Sequence, residues 1–401
     1  MAAIAISPER LLADLDTLRG IGRRGTGVVR PAFSPADLEA RGWLAGRMRE
    51  AGLAVAVDRM GNLFGLPPGD APCLLVGSHS DSQPEGGWLD GAYGVIAGLE
   101  IARASLEGGG PPVAVVSFQD EEGRFCPLAG SRVWSGRMPL AEAEALVDLD
   151  GVRLADLDRL PPGIDAPAAV PHGRFRAFLE MHIEQGPVLD RSGERIGVVE
   201  NIFGICGERL SFTGEQNHAG TTPMALRRDA FQGLARFATL LDARFTALAV
   251  PSTVWTIGHV AVHPNAVSIV PGRVDFSVQW RDADAARLAA MTQAMRETAD
   301  AVAAERDLTL ERSGFVTIPP SRCEPSLVAA LADAAEALAP GAWRRMPSGA
   351  LHDAANVSTL MPMAMLFVPS IGGISHSFDE DTDRADLVLG ARVLARAVAA
   401  I

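Results

Sequence analysis

Within this 401-residue chain the stretch from Gly77 to Gly94, GSHSDSQPEGGWLDGAYG, sets His79, Asp81 and Asp90 among glycines, directly after the apolar run Cys73 to Val76. That run has the character of a buried strand, and Gly77-Ser78 would open the chain at its carboxyl end, where open α/β sheets present ligands. His79 and Asp81 lie two apart on extended backbone and point the same way, so Asp81 can accept the second ring N–H of a metal-bound His79. Asp90 stands just ahead of a helical pattern, DGAYGVIAGLEIA, where an Asp also serves as an ordinary N-cap. Three further polar sites end strand-like runs: Glu121-Glu122 in QDEEG, His182 in MHIEQG and His376 in GISHSFDE. Imidazole and carboxylate together suit borderline divalent ions such as Zn²⁺, Mn²⁺, Co²⁺ or Ni²⁺. Adjacent acids on a strand cannot face the same way, so one of the Glu121-Glu122 pair can ligate while the other faces water. Metal-assisted hydrolysis needs that division of labour. His172, His259, His263 and His352 read as ordinary hydrogen-bonded histidines.

The elements that must position these groups follow from composition and pattern. With 48% hydrophobic and 21% charged residues the chain can bury a large core, and its length favours two domains. A net charge of −13 argues against nucleic acid or an anionic membrane as partner. No apolar stretch is long enough to cross a bilayer and the start lacks a signal pattern, so the expected setting is the cytoplasm, with small-molecule chemistry. The four cysteines are far apart and read as reduced thiols. Ser7-Pro8 and Ser34-Pro35 are helix starts, and LAVAVDRMGNLFGL reads as a hairpin around Gly61-Asn62. Alternating strand and helix signals through residue 207 predict an α/β domain with a mixed sheet and helices on both faces, completed by residues 320–401. Residues 208–319 read as an inserted α+β unit of ferredoxin-like order: strand, a helix over residues 226 to 246, two strands, a long helix from about Ala283 to Arg306, strand. On that last helix Leu288, Met291, Met295 and Val302 keep one apolar face.

The motifs GSHSDSQPEGGWLDGAYGVIAGLE, DEEGRF, MHIEQGPVLD, HAGTTPM followed by RRDA, PNA with a later VPG, HDA and GISH together resemble the hydantoinase/carbamoylase amidases of the dinuclear M20 metallohydrolase superfamily. That group contains N-carbamoyl-L-amino acid hydrolases, β-ureidopropionases and allantoate amidohydrolases, and His182 stands where the related peptidases usually carry a carboxylate. The resemblance implies two divalent ions per chain, bridged by Asp90, with His79 and His182 completing one site and Glu122 and His376 the other. Asp81 would sit behind His79, and Glu121 would be the general base for a metal-activated hydroxide. Two divalent ions against two carboxylates leave about +2, which would attract an anionic amide or ureido substrate. The resemblance further implies that the inserted unit is a lid through which two chains dimerise. From that lid His218 would polarise the scissile carbonyl, and Arg281 would clamp a substrate carboxylate. Gln185, Asn265, Ser268, Gly349, Ala350 and Leu351 fall at substrate-binding positions. The chain departs from the family pattern at Ser268, in PNAVS where an asparagine is usual, at Gln279, where an Asp is common, and at Leu351, where a glycine is usual. These departures tie it to amide hydrolysis in general more firmly than to ureido hydrolysis; the alternatives are a dipeptidase or aminoacylase of the same machinery acting on a different acylated amine, and a catalytically inert ligand-binding relative.

Overall fold

The structure is a computed structural model that describes residues 4–401. It separates into two compact units, one built from the chain up to Asn201 together with Arg322–Ile401, the other from Ile202–Ser321.

The larger unit is organised by a mixed sheet. Along it lie the strands Ile196–Ile202, Met363–Val368, Phe175–Ile183, Cys73–His79, Val113–Phe118, Leu63–Leu66 and Ala54–Val57, in that order. The four from Met363–Val368 to Val113–Phe118 are parallel to one another, and the flanking pairs are antiparallel. Parallel strands bring all four carboxyl ends to the same edge, and continuous burial explains their near-unbroken apolar sequences. The hairpin Ala54–Val57 to Leu63–Leu66 forms as its turn residues suggest, with the Asp58 carboxylate accepting the N–H groups of Met60, Gly61 and Asn62.

Helices cover this sheet. Ser7 and Ser34 cap Pro8–Gly20 and Pro35–Glu50 through their side-chain oxygens, with proline in the first turn of each. Helix Ala92–Gly108 is buried on all sides from Ala92 to Ser105, and glycines let it approach the strands. A Cβ at Gly94 would lie 2.3 Å from the Met181 carbonyl oxygen, and one at Gly98 would lie 3.0 Å from that of Val76. The Met181 backbone is the step before His182, so this contact seats the helix against a functional strand. The cap of Ala92–Gly108 is Gly91, at φ 61°, with no side-chain hydrogen bond. Asp90 therefore is not the N-cap that its position before a helix would allow; its carboxylate is engaged elsewhere.

The smaller unit is a four-stranded antiparallel sheet in the order Val254–His263, Arg273–Asp282, Gly204–Thr213, Thr309–Ile318. The helices Ala230–Leu248 and Ala285–Glu305 pack on it and on each other, giving the ferredoxin-like arrangement. Val274, Phe276, Val278 and Trp280 alternate into its core, and Leu288, Met291, Met295 and Val302 meet them from the long helix. The first of the two helices begins at Ala230, later than the apolar periodicity suggests, because Asp229 takes the N-cap and accepts from Phe231 and Gln232. No helix among the described residues is long and apolar enough to cross a membrane.

Replacing Gly94 by alanine is expected to push the helix from the strand and lower stability by about 1–3 kcal/mol, the usual range for overpacking a filled interior. Denaturant unfolding of Gly94→Ala beside the parent chain measures it; an unchanged midpoint would show that the contact is not tight.

Candidate metal centre

His79 is the last residue of its strand and His182 the last but one of the neighbouring parallel strand, so both rings emerge at the same edge of the sheet. Their Nδ1 atoms face carbonyl oxygens, His79 that of Asp81 at 3.1 Å and His182 that of Ile183 at 2.9 Å. A carbonyl can only accept, so Nδ1 carries the proton in each ring and the Nε2 lone pair is turned to the centre. There it meets Asp90: Oδ1 lies 3.1 Å from His182 Nε2 and 3.6 Å from His79 Nε2. Asp90 Oδ2 lies 3.1 Å from His376 Nε2 and accepts from Gln185 Nε2 at 3.0 Å. Gly91 makes this possible, because a Cβ there would fall 2.3 Å from the His79 ring.

Glu121 and Glu122 do not continue the strand, which ends at Phe118. Asp120, at φ 55°, turns the chain, and the Asp81 carboxylate accepts the Glu121 and Glu122 backbone N–H groups at 3.4 and 3.2 Å. Both glutamates thus reach the centre from a turn, and strand alternation is not what divides them. Asp81 also corrects a simpler expectation: its carboxylate stands 3.5 Å from His79 Nδ1, and the nearer partner of that ring is its backbone carbonyl. Glu122 Oε2 lies 3.6 Å from His376 Nε2 and accepts from Gln83 Nε2 at 2.7 Å. Glu121 Oε2 lies 3.6 Å from His79 Nε2.

Two overlapping donor sets result, His79-Asp90-His182 and Asp90-Glu122-His376, each with ligand atoms within 4.8 Å of one another. The donor set and its spacing fit divalent cations. Bonds of ~2.0–2.1 Å to a tetrahedral ion place neighbouring donors ~3.3 Å apart, and the contacts to Asp90 run from 3.1 to 3.6 Å. The first set is buried, whereas His376 is 50% exposed on a loop where its own φ is 52°.

Without a cation the proton takes its place. Burial opposes ionisation of Asp90, yet hydrogen bonds with His182, His376 and His79 hold its carboxyl well below the usual range. Burial also disfavours charge on His79, but Glu121, Asp81 and Asp90 raise its pKa well above the ordinary value. The Asp90 hydrogen bond lifts His376 to about 9. Burial and the charge of Asp90 lift Glu122 to about 8. Glu121 is raised well above its usual value, chiefly by burial, with His79 opposing and Glu122, Asp353 and Asp90 adding to it.

Other sequence candidates lie around this centre or in the smaller unit. Gly349, Ala350 and Leu351 form the loop before His352, where the Ser348 hydroxyl donates to the Ala350 carbonyl at 2.9 Å and Leu351 is half-buried. His352 is not an ordinary surface histidine: it is 1% exposed, its ring packs 4.6 Å from that of His182, and its Nε2 is 2.9 Å from Ser348 Oγ. In the smaller unit His218 is exposed, and its Nδ1 accepts the N–H groups of Gly220 at 2.9 Å and Thr221 at 3.2 Å. That fixes the tautomer with the proton on Nε2. The Ser268 carbonyl accepts from Ala219 N–H at 3.0 Å, and Asn265 is exposed at φ 57°. Arg281 directs Nε and Nη2 at Gln279 Oε1, at 3.1 and 3.0 Å.

Sequence reasoning missed Gln83, Glu180 and Glu380. Glu180 shares the strand face of His182, two residues away, and its carboxylate joins Ser78 Oγ at 2.7 Å to the Ala354 N–H at 2.9 Å. Its parity with His182 was the available signal. Glu380 accepts from the backbone of Leu89 and Asp90; nothing in its local sequence announces that.

An α/β sheet that gathers two candidate metal-donor sets around one shared carboxylate is the setting of a metal-dependent hydrolase. Residues 75–400 match the family described as Peptidase family M20/M25/M40, and the chain belongs to that family. It is similar to the N-carbamoyl-L-amino acid amidohydrolase of Geobacillus stearothermophilus, 37% identical over 97% of either chain. The allantoate amidohydrolase of Escherichia coli (strain K12) is 35% identical over 92% of either chain. Among solved structures, a hydantoinase/carbamoylase family amidase from Burkholderia phymatum superposes with a TM-score of 0.88 at 44% identity, covering 99% of this chain and 98% of its own.

A cation needs Glu122 and His376 without their protons; burial and Asp90 push Glu122 up to about 8, and the Asp90 hydrogen bond pushes His376 up to about 9. Uptake at pH 7 is therefore expected to release protons, and apparent affinity to rise by about tenfold per pH unit for each proton displaced, levelling above pH 9. Calorimetry in buffers of different ionisation heat measures the release; affinity that falls with rising pH would contradict it.

Proposed function

We propose that the protein is a dinuclear metal-dependent amidohydrolase that cleaves a linear C–N bond in an N-carbamoyl or N-acyl amino acid or a related ureido acid. The observation that carries this reading is Asp90, whose two oxygens face different histidines at 3.1 Å each. His79 and His182 would hold one divalent ion of the Zn²⁺, Mn²⁺, Co²⁺ or Ni²⁺ kind, Glu122 and His376 a second, and Asp90 both. When bound, such ions supply the Lewis acidity that lowers the pKa of water to about 7 and polarises a carbonyl oxygen.

The protein's own groups do the rest. Glu121 takes the proton that water gives up as its oxygen bonds to the carbonyl carbon, and returns it to the nitrogen as the C–N bond breaks. His218 carries its proton on Nε2 and can donate it in a hydrogen bond to the developing oxyanion. Arg281, steadied by Gln279, offers a guanidinium to the substrate carboxylate. Gln185, Asn265, Ser268, Gly349, Ala350 and Leu351 would line the substrate. The inserted unit would act as lid and join two chains in a homodimer. The names of the similar amidohydrolases support the ureido substrate class.

Ammonia or amine release across N-carbamoyl, N-acyl, allantoate and dipeptide substrates tests the reading. Turnover is expected on a carbamoyl or acyl acid, abolished by chelator and restored by metal; turnover confined to dipeptides would reject it. Glu121→Gln is expected to keep its metal content and lose about 10²- to 10⁴-fold in kcat. Full turnover in that variant would remove Glu121 as the base.

A further inference from the structure

Glu380 is 1% exposed and lies four residues beyond His376. Its Oε1 accepts the backbone N–H of Leu89 at 3.1 Å and of Asp90 at 3.0 Å, and its Oε2 accepts the Ser375 hydroxyl at 2.7 Å. A carboxylate that receives two successive backbone N–H groups fixes that piece of chain as an N-cap fixes a helix start. The piece fixed here sets Asp90, and Ser375 is the neighbour of His376. One side chain therefore joins two loops 290 positions apart whose functional groups meet at Asp90 Oδ2 and His376 Nε2. Gly87 shows how closely the loops fit, since a Cβ there would lie 1.9 Å from Glu380 Oε1.

We infer that Glu380 is a positioning residue for the outer cation: it holds Asp90 and the His376 loop in the register that lets both donate to one ion. The inference rests on the two-cation reading above. It assigns no chemistry to the carboxylate itself, which acts only through the backbone it holds. His79 and His182 reach the centre on strands that do not depend on this clamp, so the inner ion keeps two of its three ligands in place, while the outer one has both Asp90 and the His376 loop released and should loosen more.

The test is a Co²⁺ titration of the full-length, metal-stripped protein, followed by visible absorption and by bound cobalt after equilibrium dialysis. The parent chain should take two ions. Glu380→Ala should weaken the second by at least about tenfold and leave the first within about threefold, as removal of a group supporting a ligand typically does. Glu380→Gln keeps an oxygen acceptor at Oε1 and should restore most of the affinity. Gly87→Ala, whose methyl displaces the carboxylate, should reproduce the loss, and it decides the matter if Glu380→Ala does not fold by circular dichroism. Two ions bound at parental affinity in Glu380→Ala or, where that variant does not fold, in Gly87→Ala would overturn the inference alone. So would a Glu380→Gln protein as impaired as the alanine variant, because charge and not hydrogen bonding would then be at work. A parent chain that binds fewer than two cobalt ions would instead overturn the two-cation reading, and this inference with it.

Discussion

The centre exists because one buried carboxylate is surrounded by imidazoles on both of its oxygens. Asp90 is 5% exposed, a setting that by itself disfavours a charge. It is tolerated because His79, His182 and His376 each turn a ring nitrogen toward it, and this outweighs the burial. The remaining acids show the other side of the same constraint: Glu121 and Glu122, buried and with Asp90 close by, are pushed toward their neutral forms. A pocket with that much suppressed negative charge suits cations.

Much of this was legible in the residues. Apolar runs ending in His79 and His182 pointed to strand ends, and four parallel strands carry such ends to one edge whatever their separation in the chain. The ferredoxin-like order of the inserted stretch could likewise be read from alternation in Arg273–Asp282 and the apolar face of Ala285–Glu305. What escaped depends on how turns are closed in three dimensions. Asp81 meets its histidine with a carbonyl and spends its carboxylate on two backbone N–H groups, which follows from the turn at Asp120 and from no pattern of spacing. His352 looked ordinary because its burial against His182 is a packing fact. Glu380 finds its partners 290 positions away.

The two units hold their side chains by the different physics of their sheets. Parallel strands buried on both faces give a rigid rim on which histidines can be held by backbone carbonyls. The antiparallel sheet of the inserted unit buries only alternate residues of Arg273–Asp282, which leaves Gln279 and Arg281 on its other face. His218 sits on a short strand with its ring steered by two backbone N–H groups.

The unequal cover of the two donor sets has a kinetic consequence. On the dinuclear reading, one ion would be enclosed among buried strands and the other would share a ligand, His376, with bulk solvent. The enclosed ion would keep its identity from first loading onward, while its companion would exchange with whatever transition metal the surroundings supply. The enclosure of the first donor set would then act as a kinetic lock that the second, open to water at His376, lacks.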